Sequence, residues 1–176
     1  VVPADQIETR KVTAWAAGYE GPVYFRLGRE KVPTLTKDET PFVQGKALEV
    51  IEGSDGTIIA CGTMLAQAVL AAELLALDGI YPRVLNMATL KPIDIEAIHS
   101  AADETGAIVT TEEHSIYGGL GSIVARIVAS SHWRVPVIPV AIENRYLTSG
   151  PPDELLEIAG LTYLDIAAAL LKSLAM

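Results

Sequence analysis

The stretch EEHSIYGGLGS, from Glu112 to Ser122, gathers two carboxylates, one imidazole and three glycines. Such a composition suits a phosphate cradle, an acid–base or metal-binding loop, or a plain tight turn. Glycines that follow a strand can let the first amides of a helix reach a phosphate. The order here is Gly118, Gly119, Gly121, without G-x-G-x-x-G spacing or the lysine of a nucleotide loop, so the nucleotide signal is weak. A structural role fits better: Gly118 and Gly119 permit a tight turn, and Gly121 lets a helix approach a sheet. His114 could titrate near neutrality beside Glu112 and Glu113, acting as an acid or base or binding a metal. Successive residues of extended chain point to opposite sides, however, so the three converge only if the turn bends them. A solvated or interface-bonded cluster is the expectation.

The other candidate groups are more isolated. Cys61 is the sole cysteine, which excludes an internal disulfide, and it has no Cys or His at zinc-ligand spacing. It precedes Gly62 and Thr63 at a strand end, where a thiol at a helix N-terminus could be a nucleophile, but no histidine lies near it. A small buried thiol is expected. His99 falls on a helical pattern and His132 lies beside Trp133 in a loop, neither with a ligand-spaced partner. Asp55 and Gly56 in EGSDGT read as a hairpin or turn pair, since a calcium loop needs more acidic residues at alternating positions.

Strands and helices in alternation must carry these groups. The runs IIACG, RVLNM, AIVTTEE and VPVIPVAI are short, apolar and rich in β-branched residues, as strands covered on both faces require. Between them, MLAQAVLAAELLALDG places Leu65, Val69, Ala72 and Ala76 on one stripe and stops at Gly79. KPIDIEAIHSAADETG offers Asp94 as N-cap, with Ile95, Ile98 and Ala102 facing inward and a stop at Gly106. GLGSIVARIVASSH supplies Ile123, Ile127 and Val128 as a third apolar face. In the tail, Pro151 and Pro152 suit a first helical turn, DELLEIAG closes at Gly160, and Thr162 caps YLDIAAALLKSL. The pattern predicts an α/β fold: an open, three-layer, mostly parallel sheet with helices on both faces. The first 40 residues stand outside it, reading as one amphipathic helix (PADQIETRKVTAWAAGYEG), one strand (PVYFRLG) and a polar linker (REKVPTLTKDETP). One helix and one strand cannot form a core, so residues 1–40 are expected to be the tail of another domain, and 41–176 a complete one.

Composition narrows the class of function. The 176 residues carry a formal net charge of −9, and their basic residues are scattered, which argues against a nucleic-acid surface. No apolar run approaches the ~20 residues of a membrane span. No membrane partner is expected, and the lone thiol suits a reducing, cytoplasmic location.

PADQIET, GPVYFRLGREKVP, GTIIACGTMLAQAVLAAELLALDGIYPRVLNMATLKPID, EEHSIYGGLGS and TSGPPDELLEIAGLT, in that order, resemble the final part of transketolases. The likeness is greatest to the carboxy-terminal subunit of split transketolases. 1-Deoxyxylulose-5-phosphate synthase and the β-subunits of 2-oxo-acid dehydrogenases are more distant alternatives. The resemblance implies that residues 1 to about 33 end a pyrimidine-binding domain and that the rest is the transketolase carboxy-terminal domain. It implies thiamine diphosphate and Mg²⁺ as cofactors of the complete enzyme, with none expected on this chain alone. The family's Gly-Asp-Gly diphosphate motif and its distant Asn are absent, as is the cofactor-activating glutamate. The chain alone is therefore expected to be catalytically silent. The implied activity of the whole is two-carbon ketol transfer between sugar phosphates, in partnership with an amino-terminal portion or subunit. Arg29, in LGREKVP, matches the family's substrate-phosphate arginine, a task that suits a bidentate guanidinium. The competing reading is a linker arginine paired with Glu30 or Asp38. Arg26 competes for the phosphate role, but strand alternation would send it to a sheet face. The resemblance also implies a homodimer built by this domain, for which Ile116, Tyr117 and Leu120 are candidate exposed contacts. A stand-alone interaction or regulatory domain is the alternative of another class.

Overall fold

The computed structural model describes residues 1–29 and 31–176. Five strands form one sheet: β1 (Leu48–Ile51), β2 (Thr57–Ala60), β3 (Arg83–Asn86), β4 (Ile108–Ser115) and β5 (Val137–Ile142), in the order β1-β3-β2-β4-β5. All neighbours run parallel except β1, which lies antiparallel on β3 with Leu48 opposite Asn86. The helices are α1 (Gln6–Ala17), α2 (Met64–Leu77), α3 (Ile95–Glu104), α4 (Leu120–Ala129), α5 (Pro152–Ala159) and α6 (Tyr163–Leu174).

Strand alternation sorts the core into two layers. Ile58, Ala60, Val84 and Val109 meet Met64, Leu65, Ala68, Ala72 and Leu75 of α2, together with Ile166 and Leu170 of α6. Ile59, Cys61, Leu85 and Ile108 face the other way, against Ile98 of α3 and Leu120, Val124 and Ile127 of α4. Pro139 is tolerated because β5 is an edge strand. Caps set the ends. Asp94 accepts from the Ala97 amide at 3.1 Å, and Thr162 and Asp165 form a reciprocal capping box on α6.

Several expectations are corrected. No sequence signal marks β1, because LEVI is only partly buried at the sheet edge and shows no clean alternation. It pairs with β3 rather than β2, so EGSDGT is no hairpin: Asp55 Oδ2 accepts from the Tyr81 amide at 2.9 Å, tying that turn to the entrance of β3. PVYFRLG is not in the sheet but is extended chain lying beside Val1. Ile95 is exposed, because it opens its helix on the outer side of the cap, while Ala101 takes the inward place. The α2 stripe is centred on Ala68 and Leu75, with Val69 and Ala76 only partly buried. α1 is amphipathic in an unusual sense, since its buried residues are Glu8 and Val12.

Asp94 also accepts from the Ala47 amide at 3.0 Å, joining the approach to β1 to α3. Asp94→Ala is expected to lower stability by about 2 kcal/mol, read as a lower urea midpoint at unchanged slope.

Candidate functional site

The chain leaves β2 toward β3 on one side of the sheet and leaves β4 toward β5 on the other, so its direction of winding reverses between β2 and β4. The crevice at the carboxyl ends of these strands is where open α/β sheets take ligands. Here Thr63, after β2, donates to Glu113 Oε2 of β4 at 2.9 Å across the gap. An amino-terminal stretch of chain borders the crevice at the ends of β2 and β3. The Val2 amide donates to the Ala88 carbonyl at 2.8 Å, its carbonyl accepts from the Gly62 amide at 3.1 Å, and its side chain packs against Gly62.

Residues 22–29 arch over this segment. The Arg26 amide donates to the Val1 carbonyl at 3.0 Å, and a Cβ at Gly28 would lie 2.9 Å from Thr63 Cγ2, so the arch touches the start of α2. Arg26, Gly28, Arg29, Thr63 and Glu113 line one cleft with Val2 and Cys61. Arg26 therefore does not face a sheet surface as alternation suggested: the arch is outside the sheet, and its guanidinium points to Glu113 at 4.0 Å. Both groups are substantially exposed, so this pair adds little stability. Arg29 is exposed at the cleft and also borders a second one of about 440 Å³ floored by Leu155, Leu156 and Leu161. Asp38 forms an ion pair with Arg10, and Glu30 lies outside the described residues.

The glycine-rich stretch is a helix entrance built on a buried carboxylate. Glu112 is 2% exposed and accepts from the amides of Leu120 at 2.7 Å and Gly121 at 2.9 Å. It thus satisfies two orphan donors of α4 and lies at the positive end of the helix dipole. A Cβ at Gly119 would overlap that carboxylate, and one at Gly121 would lie 2.9 Å from Pro139 Cβ and Thr110 Oγ1. Gly118 turns the chain with φ +80°. Glu112 is buried and not solvated. Alternation separates the trio as expected: Glu113 goes to Thr63, and His114 is exposed. Leu120 is fully buried in the core beneath α4 and offers no surface to a partner, because it is the first inward residue of that helix. Ile116 is partly buried, and Tyr117 is exposed.

Cys61 is 4% exposed, and burial, reinforced by the Glu112 charge, pushes its thiol up to about 12. His99 and His132 flank Trp133, at ring separations of 4.6 and 4.1 Å, and the indole donates to Asp103 at 3.0 Å. Among the described residues no three His, Cys, Asp or Glu side chains gather to hold a metal ion. No helix among them is long and apolar enough to cross a membrane.

Sequence reasoning missed the anchors of the arch. Asp5 accepts from the amides of Glu8 at 2.9 Å, Leu35 at 2.8 Å and Thr36 at 2.6 Å, and from the Thr36 hydroxyl at 2.8 Å. Burial pushes its carboxyl up, but these bonds together outweigh burial and hold it below the ordinary value. Glu8 accepts from the Ala4 amide at 2.7 Å and Asn86 Nδ2 at 2.8 Å. Burial pushes the Glu8 carboxyl up. The Asp-x-x-Glu spacing in DQIE was a visible helix-start signal, but the partners at 35, 36 and 86 carried none.

The mostly parallel sheet, its two helical layers and the switch-point cleft define an open α/β domain that is overlaid by a preceding segment. The family described as "Transketolase, C-terminal domain" matches residues 45–166, and the chain belongs to it. A solved structure described as "Split gene transketolase, inactive beta4 tetramer" superimposes with a TM-score of 0.91 at 44% identity, covering 99% of this chain and 56% of that one. One of the subunits of the apulose-4-phosphate transketolase of Phocaeicola vulgatus is 44% identical over 145 residues, 82% of this chain and 46% of the relative. The 6-deoxy-6-sulfo-D-fructose transketolase subunit SqwH of Clostridium sp. is 40% identical over 167 residues, 95% of this chain and 52% of the relative. The chain thus spans about half the length of the relatives it matches.

Gly119→Ala must expel the Glu112 carboxylate from α4, and is expected to cost about 3 kcal/mol in urea unfolding. Cys61 is expected to resist iodoacetamide at pH 8 in the folded chain and to react once denaturant exposes it. Labelling before unfolding would contradict the buried, raised thiol.

Proposed function

We propose that this chain is the carboxy-terminal section of a thiamine-diphosphate-dependent transketolase that moves a two-carbon ketol unit from a ketose phosphate to an aldose phosphate. The observation that carries the reading is the placement of Arg26 and Arg29 on one arch above the switch-point crevice of a transketolase-family domain. Two relatives are named for sugars that end in an anion, a phosphate in one and a sulfo group in the other. A guanidinium fork suits either anion, and Arg29 is assigned to hold and orient the substrate's phosphate end.

The sequence lacks the Gly-Asp-Gly diphosphate motif expected of the family. The cofactor's residues are therefore assigned to an amino-terminal partner portion or subunit, and this section alone to assembly without turnover. When bound there, thiamine diphosphate supplies the carbanion chemistry. The inactivity named for the β4 tetramer of the structural neighbour supports this division of labour. Residues 1–40 are assigned to the end of the pyrimidine-binding domain, consistent with a family match that starts at residue 45. The exposed Tyr117, beside Ile116, is assigned to a homodimer contact, and the whole to the cytoplasm.

The test mixes the purified chain with its amino-terminal partner, thiamine diphosphate and Mg²⁺ and follows ketol transfer. Turnover is expected only in the mixture. Consumption of pyruvate with glyceraldehyde phosphate in place of ketol transfer would assign a deoxyxylulose-phosphate synthase. In the active mixture Arg29→Ala is expected to raise KM for a phosphorylated donor about 10- to 100-fold while sparing a non-phosphorylated analogue. Equal losses for both would remove Arg29 from the site.

A further inference from the structure

We propose that Asp5 is the positioning residue of the arginine arch, its carboxylate latching together the two feet of the excursion that carries Arg26 and Arg29. The assignment of a phosphate to those arginines rests on the proposed function, but the latch itself does not.

The chain leaves Asp5 through α1, runs out through Gly18 and the arch, and returns at Leu35 and Thr36. One carboxylate spans both feet. Oδ1 takes the Glu8 amide and the Thr36 hydroxyl, and Oδ2 takes the amides of Leu35 and Thr36. Four donors on two oxygens use the full accepting capacity of an ionised carboxylate. Asparagine would offer one accepting oxygen and turn an N–H₂ group toward donors, so the geometry requires Asp. A second bolt fixes the outgoing foot to the sheet, where Glu8 accepts from Asn86, the last residue of β3.

The arch joins the rest of the domain lightly. Tyr24 is 77% and Leu27 55% exposed, and Val23 and Phe25 are only partly buried. Residues 22–28 join no ladder, and the arch meets Val1 through two backbone groups, the Arg26 amide that donates to it and the Tyr24 carbonyl that accepts from it. With so little burial to fix it, the position of the arginines depends on its feet together with these contacts. Closing the excursion through Thr36 carries a loop-closure entropy cost, which concentrated, charge-assisted bonds at the base offset.

The experiment compares Asp5→Asn with Asp94→Ala, which removes a helix cap of the same kind whose bonds run to Ala47 and Ala97 and not to the arch. Hydrogen exchange of the purified chain is read first. In Asp5→Asn, the bonded amides of Arg26, Leu35 and Thr36 are expected to exchange about tenfold faster while those of β2 and β4 keep wild-type rates. Asp94→Ala leaves the arch unchanged. Thr36→Val, which removes only the hydroxyl bond, is expected to show the same local pattern at smaller size and serves if Asp5→Asn does not fold. In the active mixture, Asp5→Asn is expected to raise KM for the phosphorylated donor about tenfold with kcat nearly kept. Uniform acceleration across sheet and arch, or none in the arch, reduces Asp5 to an ordinary helix cap and overturns the proposal. Exchange confined to the arch, with KM unmoved, overturns its link to substrate. A wild-type mixture without ketol transfer sinks the proposed function, while the exchange result still decides the latch.

Discussion

The backbone of Val2 is the joint on which the molecule turns. It donates to Ala88 beyond β3 and accepts from Gly62 beyond β2, so an amino-terminal segment is stitched across the carboxyl ends of two parallel strands. Backbone groups in such a place must find partners or pay for their desolvation, and the strand ends supply them. Val1 then holds Arg26 and Tyr24. That strip and the feet of the arch together set the cleft that Arg26 and Arg29 share.

The switch point keeps its opening. Open α/β sheets commonly admit a ligand between the strands at the reversal. In this chain Val2 lies at the ends of β2 and β3, Thr63 is bonded to Glu113 across the reversal, and Arg26, its guanidinium toward Glu113, lines the cleft there together with Arg29.

Three buried carboxylates show how environment assigns roles. Glu112 caps the start of one helix, Asp5 begins another and latches a loop, and Glu8 ties helix to sheet. The titrations of Asp5 and Glu8 have opposite signs. Asp5 is held below its ordinary value of 3.8, so its stabilising contribution is present above that value and is lost as pH falls through the lower folded one. Glu8 is raised above 4.5 by burial, so the cost of its charge is present at neutral pH and is relieved as pH falls through the higher folded value. The two therefore offset one another in acid.

Local pattern along the chain was enough to specify the central strands β2 to β5, the helices from α2 onward and their stops, because period, β-branching, caps and glycines act over a few residues. It also located the glycine-rich turn and the buried thiol, and five ordered motifs pointed to the family. Contacts between residues far apart in the chain needed the fold. The edge strand β1 exists because β3 offers it a ladder, not because LEVI has strong strand character. PVYFRLG reads as a strand but has no free neighbour, since Val1 meets it outside the sheet. Glu112 looked like a surface acid until the α4 amides, eight and nine residues on, were folded over it. Asp5 and Glu8 fall in a stretch that reads only as one amphipathic helix, and their partners at 35, 36 and 86 became visible only in three dimensions. A carboxylate's role is set by the donors that surround it, and chain spacing specifies those donors only when they lie within a turn or two.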